Sequence, residues 1–306
     1  MANPSPEPVL IVGIGALGCL FAARLAAAGH AVNMLGSWPE GLAALQASGV
    51  TLVAADGSRQ NYSVRASSKP QDFAGAKYAL VLVKAWQTER AAQLLFQALA
   101  VDGLALTLQN GLGNREQLVA KLGAERVASG VITTGATLLG PGEVRWAGEG
   151  QISLGAHPHL ASLAAVLQAA GFQVVTVEDV NSLAWSKLAI NAAINPLTAL
   201  LGVPNGELLA RSTARQLSAA LANEVAAVAS RKGITLTFSG PAAAAEDIVR
   251  RTAANLSSML QDVRRGAPTE IDAICGAVVR AGREVDVPTP VNEVMWRLVS
   301  ALRSES

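Results

Sequence analysis

Residues 9–18 read Val-Leu-Ile-Val-Gly-Ile-Gly-Ala-Leu-Gly, and an alanine-rich helical pattern follows at once. This order of apolar strand, glycine turn and helix constrains the chain more than any other stretch. In a GxGxxG turn the first glycine permits the tight bend, here Gly13. The second, Gly15, lets a pyrophosphate approach the backbone. The third, Gly18, lets helix and strand pack closely, and the helix N-terminus faces the anion. The motif alone is weak, but here it has a strand before it and a helix after it. Gly13, Ile14, Gly15, Ala16, Leu17 and Gly18 are therefore candidate cofactor contacts. An ordinary glycine turn in a βαβ unit is the competing reading.

The pattern beyond this point alternates. Strands are expected at Val9–Val12, Ala31–Leu35, Ala79–Val83, Leu104–Leu108, Val127–Thr133 and Gln151–Leu154. Helices are expected at Leu17–Ala28, Gly41–Ser48, Thr88–Ala98 and Asn114–Leu122, and Thr51–Val64 could form a small antiparallel excursion. Strands interleaved with helices predict a parallel sheet with right-handed crossovers. After about residue 178 only helical patterns remain, over Asn181–Leu201, Gly206–Lys232, Ala242–Arg265, Ile271–Arg283 and Pro290–Leu302. The expected fold class is α/β: a Rossmann-type dinucleotide-binding domain over residues 1–178, then an all-helical domain over residues 179–306.

The chain's 306 residues carry a net charge of +1, which gives no electrostatic footprint for nucleic acid or an anionic membrane. No apolar run is long enough to span a bilayer. The first eight residues hold three prolines and no Lys or Arg, and read as a frayed tail rather than a signal peptide. Cys19 and Cys275 form no CxxC pair, so a reduced, cytoplasmic protein is the default and each cysteine a packing residue. The histidines show no zinc spacing, and no metal is expected.

In an open α/β sheet, ligands bind beyond the carboxyl ends of the strands. Lys84 and Asn110 stand at two such ends, although a solvated lysine and a routine Asn-Gly turn fit these positions too. Lys187, Asn191 and Asn195 recur at i, i+4 and i+8 in an otherwise apolar helix, which places them on one stripe. Asparagine is a poor helix former, so the stripe reads as a polar seam. A second seam runs from Asn255 through Ser257 and Ser258 to Asp262. Thr269 reads as a helix N-cap, with Glu270 and Asp272 as ordinary first-turn acids. A lysine and several amides suit a small, oxygen-rich substrate. A lysine ammonium can protonate a ketone oxygen as hydride arrives.

The ordered set of motifs resembles the ketopantoate reductase (2-dehydropantoate 2-reductase) family. The resemblance rests on residues 13–18, Val83-Lys84-Ala85-Trp86-Gln87, Gln109-Asn110-Gly111-Leu112-Gly113 and the segments 187–191 and 195–199. It continues through Ser257–Asp262, Thr269-Glu270-Ile271-Asp272 and Val287–Pro290. It implies NADPH-dependent reduction of 2-dehydropantoate to pantoate, toward pantothenate and coenzyme A. It implies Lys187 as proton donor, with Asn191, Asn195, Asn205, Asn255, Ser257 and Ser258 holding the substrate. Lys84, Asn110, Ala136 and Glu270 would meet the cofactor, and Glu270 would also position Lys187.

Two departures stand out. The arginine that the family usually carries after strand two is replaced by Gly36-Ser37, and no acid stands there either. Ser37 could donate to a phosphate, so NADP is favoured by the resemblance while NAD stays possible. Cys275 stands where the family commonly has asparagine, which predicts a different pocket near that turn. A reductase of another small 2-oxo acid and a non-catalytic nucleotide-sensing protein are the alternatives. The partner expected is a small-molecule substrate, with the chain a monomer or homodimer.

Overall fold

The computed structural model describes residues 7–54 and 56–302. Most of the proline-rich start, residues 1–6, lies outside them. The chain divides into two compact units. One comprises the residues up to Gln109 together with Asn114–Val180; the other comprises Asn110–Gly113 together with the residues from Asn181 onward.

The first unit runs β1 (Val9–Val12), α1 (Ala16–Ala27), β2 (Val32–Leu35), α2 (Pro39–Ser48), β3 (Val50–Val53), β4 (Arg59–Tyr62), β5 (Arg65–Ser67) and β6 (Ala76–Val81). It continues with α3 (Thr88–Ala98), β7 (Leu99–Thr107), α4 (Asn114–Leu122), β8 (Val127–Ile132), β9 (Gly135–Gly140), β10 (Glu143–Gly148), β11 (Gln151–Gly155), α5 (Ala161–Ala169) and β12 (Gln173–Val177). Eight strands form one sheet in the order β12-β11-β8-β7-β6-β1-β2-β5, parallel except where β11 meets β8. The strand β1 lies near the middle, and its four residues are at most 1% exposed. Val9 and Ile11 enter the apolar core on one face, Leu10 and Val12 the core on the other. That alternation explains the unbroken apolar run: a parallel strand covered on both faces has no polar side. Burying each such side chain contributes about 1.5–3 kcal/mol.

The helix α1 is fastened by more than its own apolar face. Phe21 stacks on Phe172 with ring centroids 4.3 Å apart. The Arg24 guanidinium lies 4.5 Å from the Trp146 ring and 4.2 Å from Phe172, and its Nε donates to the Ala170 carbonyl at 3.1 Å. These contacts hold the helix whose first turn follows the glycine loop.

A second sheet, β4-β3-β10-β9, was foreseen only in its β3–β4 hairpin. Its other hairpin, β9–β10, turns at Gly140-Pro141-Gly142, and its Val144 pairs with Leu52 across a long stretch of chain. Neither α5 nor β12 was expected from the sequence.

Beyond residue 179 the described residues form helices and no strand. They are α6 (Val180–Leu201), α7 (Glu207–Ala210), α8 (Ser212–Arg231), α9 (Pro241–Arg251), α10 (Ser258–Arg264), α11 (Ala277–Glu284) and α12 (Pro290–Ser300), with a π-helical run at Asp272–Gly276. Two expected helices are each interrupted. The 206–232 pattern breaks at Arg211, whose φ of −110° and ψ of 105° are extended. The 242–265 pattern breaks between α9 and α10. There the carbonyls of Ala253 and Asn255 accept the N–H groups of Gly206 and Asn205, both at 3.0 Å, instead of serving a helix. No helix among the described residues is long and apolar enough to cross a membrane.

Candidate active site

The glycine turn meets its three steric demands separately. Gly13 has φ +120°, and a Cβ there would lie 2.8 Å from the Leu82 backbone carbon. A Cβ on Gly18 would lie 1.9 Å from the Gly13 carbonyl oxygen. Around Gly15, by contrast, a Cβ would meet nothing within 4 Å. Two glycines are thus required by the protein's own packing. The third faces open space beside the N-terminus of α1, the kind of position that favours an anion. Ile14 is buried and packs against Gly36.

The other sheet-edge candidates fall as follows. Lys84 lies three residues past the end of β6 rather than directly on it, half-buried, with its carbonyl accepting from Gln87 N at 2.8 Å. Ser37 follows β2 and is exposed. Ala136 is in β9 of the second sheet, half-buried against the core that α1 shares. Among the described residues no group of three or more His, Cys, Asp and Glu side chains is placed to hold a metal ion.

In the second unit, Lys187, Asn191 and Asn195 share one stripe of α6. Lys187 and Asn191 are half-buried and Asn195 is 8% exposed, while Leu188, Ala189, Ala192 and Ala193 fill the helical core. Burial pushes the Lys187 ammonium down to about 8, and the nearby Glu270 carboxylate partly opposes this. Glu270 is only 5% exposed, and its Oε2 accepts from Asn110 Nδ2 at 3.2 Å. Three segments distant in sequence therefore supply one polar cluster.

What brings Asn110 there is a backbone joint. Leu112 N donates to the Ala273 carbonyl at 3.0 Å. Ala273 lies in the π-helical run, and Ala277 N just after it bonds to the Ile274 carbonyl. Gly111 between them has φ +80°, and a Cβ there would sit 2.4 Å from the same carbonyl oxygen. Single π-turns of this kind are frequent at functional sites. The sequence reading assigned no role to Gly111; its place in an Asn-Gly pair beside a candidate ligand was the available signal.

The remaining expected residues are more scattered in character. Asn205 is 7% exposed; its Nδ2 donates to Thr252 Oγ1 at 2.9 Å, and its Oδ1 has no hydrogen-bond partner among the described residues. A buried amide oxygen left over in this way suits a ligand hydroxyl. Ser257 is the N-cap of α10, accepting from Leu260 N at 3.1 Å and sharing a 2.7 Å hydrogen bond with Thr198. Ser258 begins α10 and is half-buried, and Asn255 is exposed in the turn before it. Thr269 Oγ1 accepts from Ile271 N at 3.4 Å, as a capping hydroxyl would. Cys275 is fully buried in the helical core, where burial raises its thiol pKa, and is the packing residue expected of it.

A family model described as ketopantoate reductase PanE/ApbA matches residues 9–159, and one described as its C terminal matches residues 179–303. The chain belongs to the ketopantoate reductase family. Among its relatives, the 2-dehydropantoate 2-reductase of Archaeoglobus fulgidus is 36% identical over 97% of this chain and 98% of its own. The crystal structure of a PanE/ApbA family ketopantoate reductase from Ralstonia eutropha JMP134 is 35% identical, with a TM-score of 0.90 over 97% of this chain and 98% of that one. A ternary structure of D-mandelate dehydrogenase with NADH and anilino(oxo)acetate is 27% identical, with a TM-score of 0.91 over the same shares of the two chains. This membership makes the protein an oxidoreductase with a Rossmann-type domain and a helical domain.

Proposed function

We propose that this protein reduces 2-dehydropantoate to pantoate with NADPH, with Lys187 as proton donor. The observation that carries the reading is Lys187 itself, half-buried beside Glu270 with its pKa lowered to about 8. An acid poised near neutral pH gives up its proton readily. Residues 1–178 would hold the nucleotide, with Gly13–Gly18 at the pyrophosphate and Ser37, Lys84, Asn110 and Ala136 as further contacts, and Glu270 would add one from outside that range. Residues 179–306 would hold the 2-oxo acid through Asn191, Asn195, Asn205, Asn255, Ser257 and Ser258.

The bound nicotinamide would supply the hydride that reduces the ketone carbon. Lys187 would hydrogen-bond the ketone oxygen and protonate it as the carbonyl bond becomes a C–OH bond. The lysine is left neutral and takes its next proton from solvent. Glu270 raises the lysine's proton affinity against the burial that lowers it, and Asn110 holds Glu270 in place. The amides would recognise hydroxyl and carboxylate oxygens without adding charge. A cytoplasmic setting suits the two buried, unpaired cysteines.

A second reading, reduction of a different and bulkier 2-oxo acid, is favoured by the likeness to D-mandelate dehydrogenase. Nucleotide oxidation with a panel of 2-oxo acids, run with NADPH and with NADH, decides between them. The highest kcat/KM with 2-dehydropantoate is expected. A far higher value with an aromatic 2-oxo acid moves the assignment to the second reading. No turnover with any acid leaves nucleotide sensing without catalysis.

A further inference from the structure

In dinucleotide-binding sheets the residue ending the second strand meets the adenosine ribose. An acid there hydrogen-bonds the 2′-hydroxyl of NAD, and an arginine nearby accommodates the 2′-phosphate of NADP. In this chain β2 ends in Leu35-Gly36-Ser37-Trp38, with neither. The strand beside it offers an alternative. The edge strand β5 runs parallel to β2, with Leu35 opposite Ser67. The ladder continues one step further, because Gly36 N donates to the Ser67 carbonyl at 3.2 Å. Ser68 and Lys69 therefore leave the sheet at the same carboxyl edge as Gly36 and Ser37.

Lys69 is exposed on a fixed backbone. Its φ of −100° and ψ of 115° are extended, and its N–H donates to Ser67 Oγ at 3.0 Å. The next residue, Pro70, is buried and opens a 3₁₀ turn anchored by the buried Phe73. The acid on that turn, Asp72, accepts the Ser67 hydroxyl. An exposed lysine thus stands on a held segment, and Ser37 and Ser68 are exposed at the same carboxyl end of the two paired strands. We propose that Lys69, carried by the strand next to β2, selects nucleotides bearing a 2′-phosphate monoester, with Ser37 and Ser68 as further donors. The inference rests on the reading of Gly13–Gly18 as a nucleotide site and adds the residue that discriminates within it.

The test is equilibrium calorimetry with adenosine 2′,5′-bisphosphate and with 5′-AMP, which differ only in the 2′-phosphate, on the wild-type protein, Lys69→Ala and Asp72→Asn. The wild type should bind the 2′-phosphorylated ligand about tenfold more tightly or better, as a charge-assisted hydrogen bond allows. Lys69→Ala should lower that ratio severalfold, to what Ser37 and Ser68 alone sustain, leaving 5′-AMP affinity and the melting temperature unchanged. Asp72→Asn removes a negative charge from the same turn and should raise the ratio. An undiminished ratio in Lys69→Ala, or a wild type that does not discriminate, overturns the proposal. Absence of binding by either ligand is a different failure: it removes the nucleotide site itself and the proposal with it.

Discussion

The glycine turn of the first unit and the lysine cluster of the second solve opposite problems. In the turn the side chains are silent. Gly13 and Gly18 are dictated by backbone atoms within 3 Å of any added Cβ, and Gly15 by open space. In the cluster the backbone only delivers, and the side chains of Lys187, Glu270 and Asn110 meet from three separate segments. A site made of backbone is sterically strict and chemically simple. A site made of side chains is chemically strict, and its members lie up to 160 positions apart.

The largest expected effect breaks the chemical half. Lys187→Ala should lower kcat by about 10²–10⁴, the range for a lost general acid. Nucleotide affinity should stay near the wild-type value, because the pyrophosphate contacts are assigned to the turn. Lys187→Arg keeps the cation but cannot release its proton near neutrality, so it should stay impaired. Single-turnover kinetics with a nucleotide titration checks both. Near-normal kcat in a folded Lys187→Ala protein would remove the lysine from the mechanism.

The steric half breaks differently. Gly18→Ala places a methyl group 1.9 Å from a backbone oxygen, and no side-chain rotation relieves it. The turn itself must shift. A destabilisation of about 3 kcal/mol or more is expected, at the upper end of overpacking costs. Urea unfolding of the full chain measures it. A loss below 1 kcal/mol would mean that the strand-to-helix approach is looser than described.

A smaller effect concerns pH. If Lys187 is the proton donor, reduction needs it protonated, so kcat/KM should hold below the lysine's pKa and fall as pH rises through about 8. Oxidation of the product alcohol needs the neutral amine and should rise over the same range. Glu270 raises the lysine's pKa, so Glu270→Gln should move both limbs to lower pH. Paired pH profiles of wild type and variant give the answer. An unmoved limb would leave Glu270 a purely structural partner of Asn110.

The two regions also differ in how far the sequence revealed them. The strand, turn and α1 were legible because all three lie within twenty residues and obey local periods. The Lys187 stripe was legible as a pattern for the same reason. Its meeting with Glu270 was implied only by the family resemblance and not by the residue pattern, because the π-turn that presents Ala273 to Leu112 leaves no mark in residue type. Likewise the β9–β10 hairpin is glycine-rich and finds its partner β3 only after folding. The break between α9 and α10 falls where two N–H groups from the 205–206 turn claim the carbonyls of Ala253 and Asn255. Periodicity reports which face is buried, and it says nothing about a bond made from outside the segment.

The smallest stability change should come from the glycine between the two that packing demands. Gly15→Ala adds a methyl group where nothing lies within 4 Å, at a φ of −84° and ψ of −165° that alanine adopts without strain. Two terms oppose each other. Alanine removes freedom from the unfolded chain, worth about 0.4–1 kcal/mol of stability. Gly15 is also the N-cap of α1, where alanine is the poorer residue by a similar amount. The melting temperature should therefore barely move. Nucleotide affinity should nonetheless fall, by about tenfold or more, because the methyl group occupies the space through which a pyrophosphate reaches the backbone. Calorimetry with 5′-ADP reads this directly. Stability and affinity would part company at Gly15 and fall together at Gly18. Unchanged affinity in Gly15→Ala would mean that the open space serves no ligand, and the glycine turn would revert to an ordinary strand-to-helix connection.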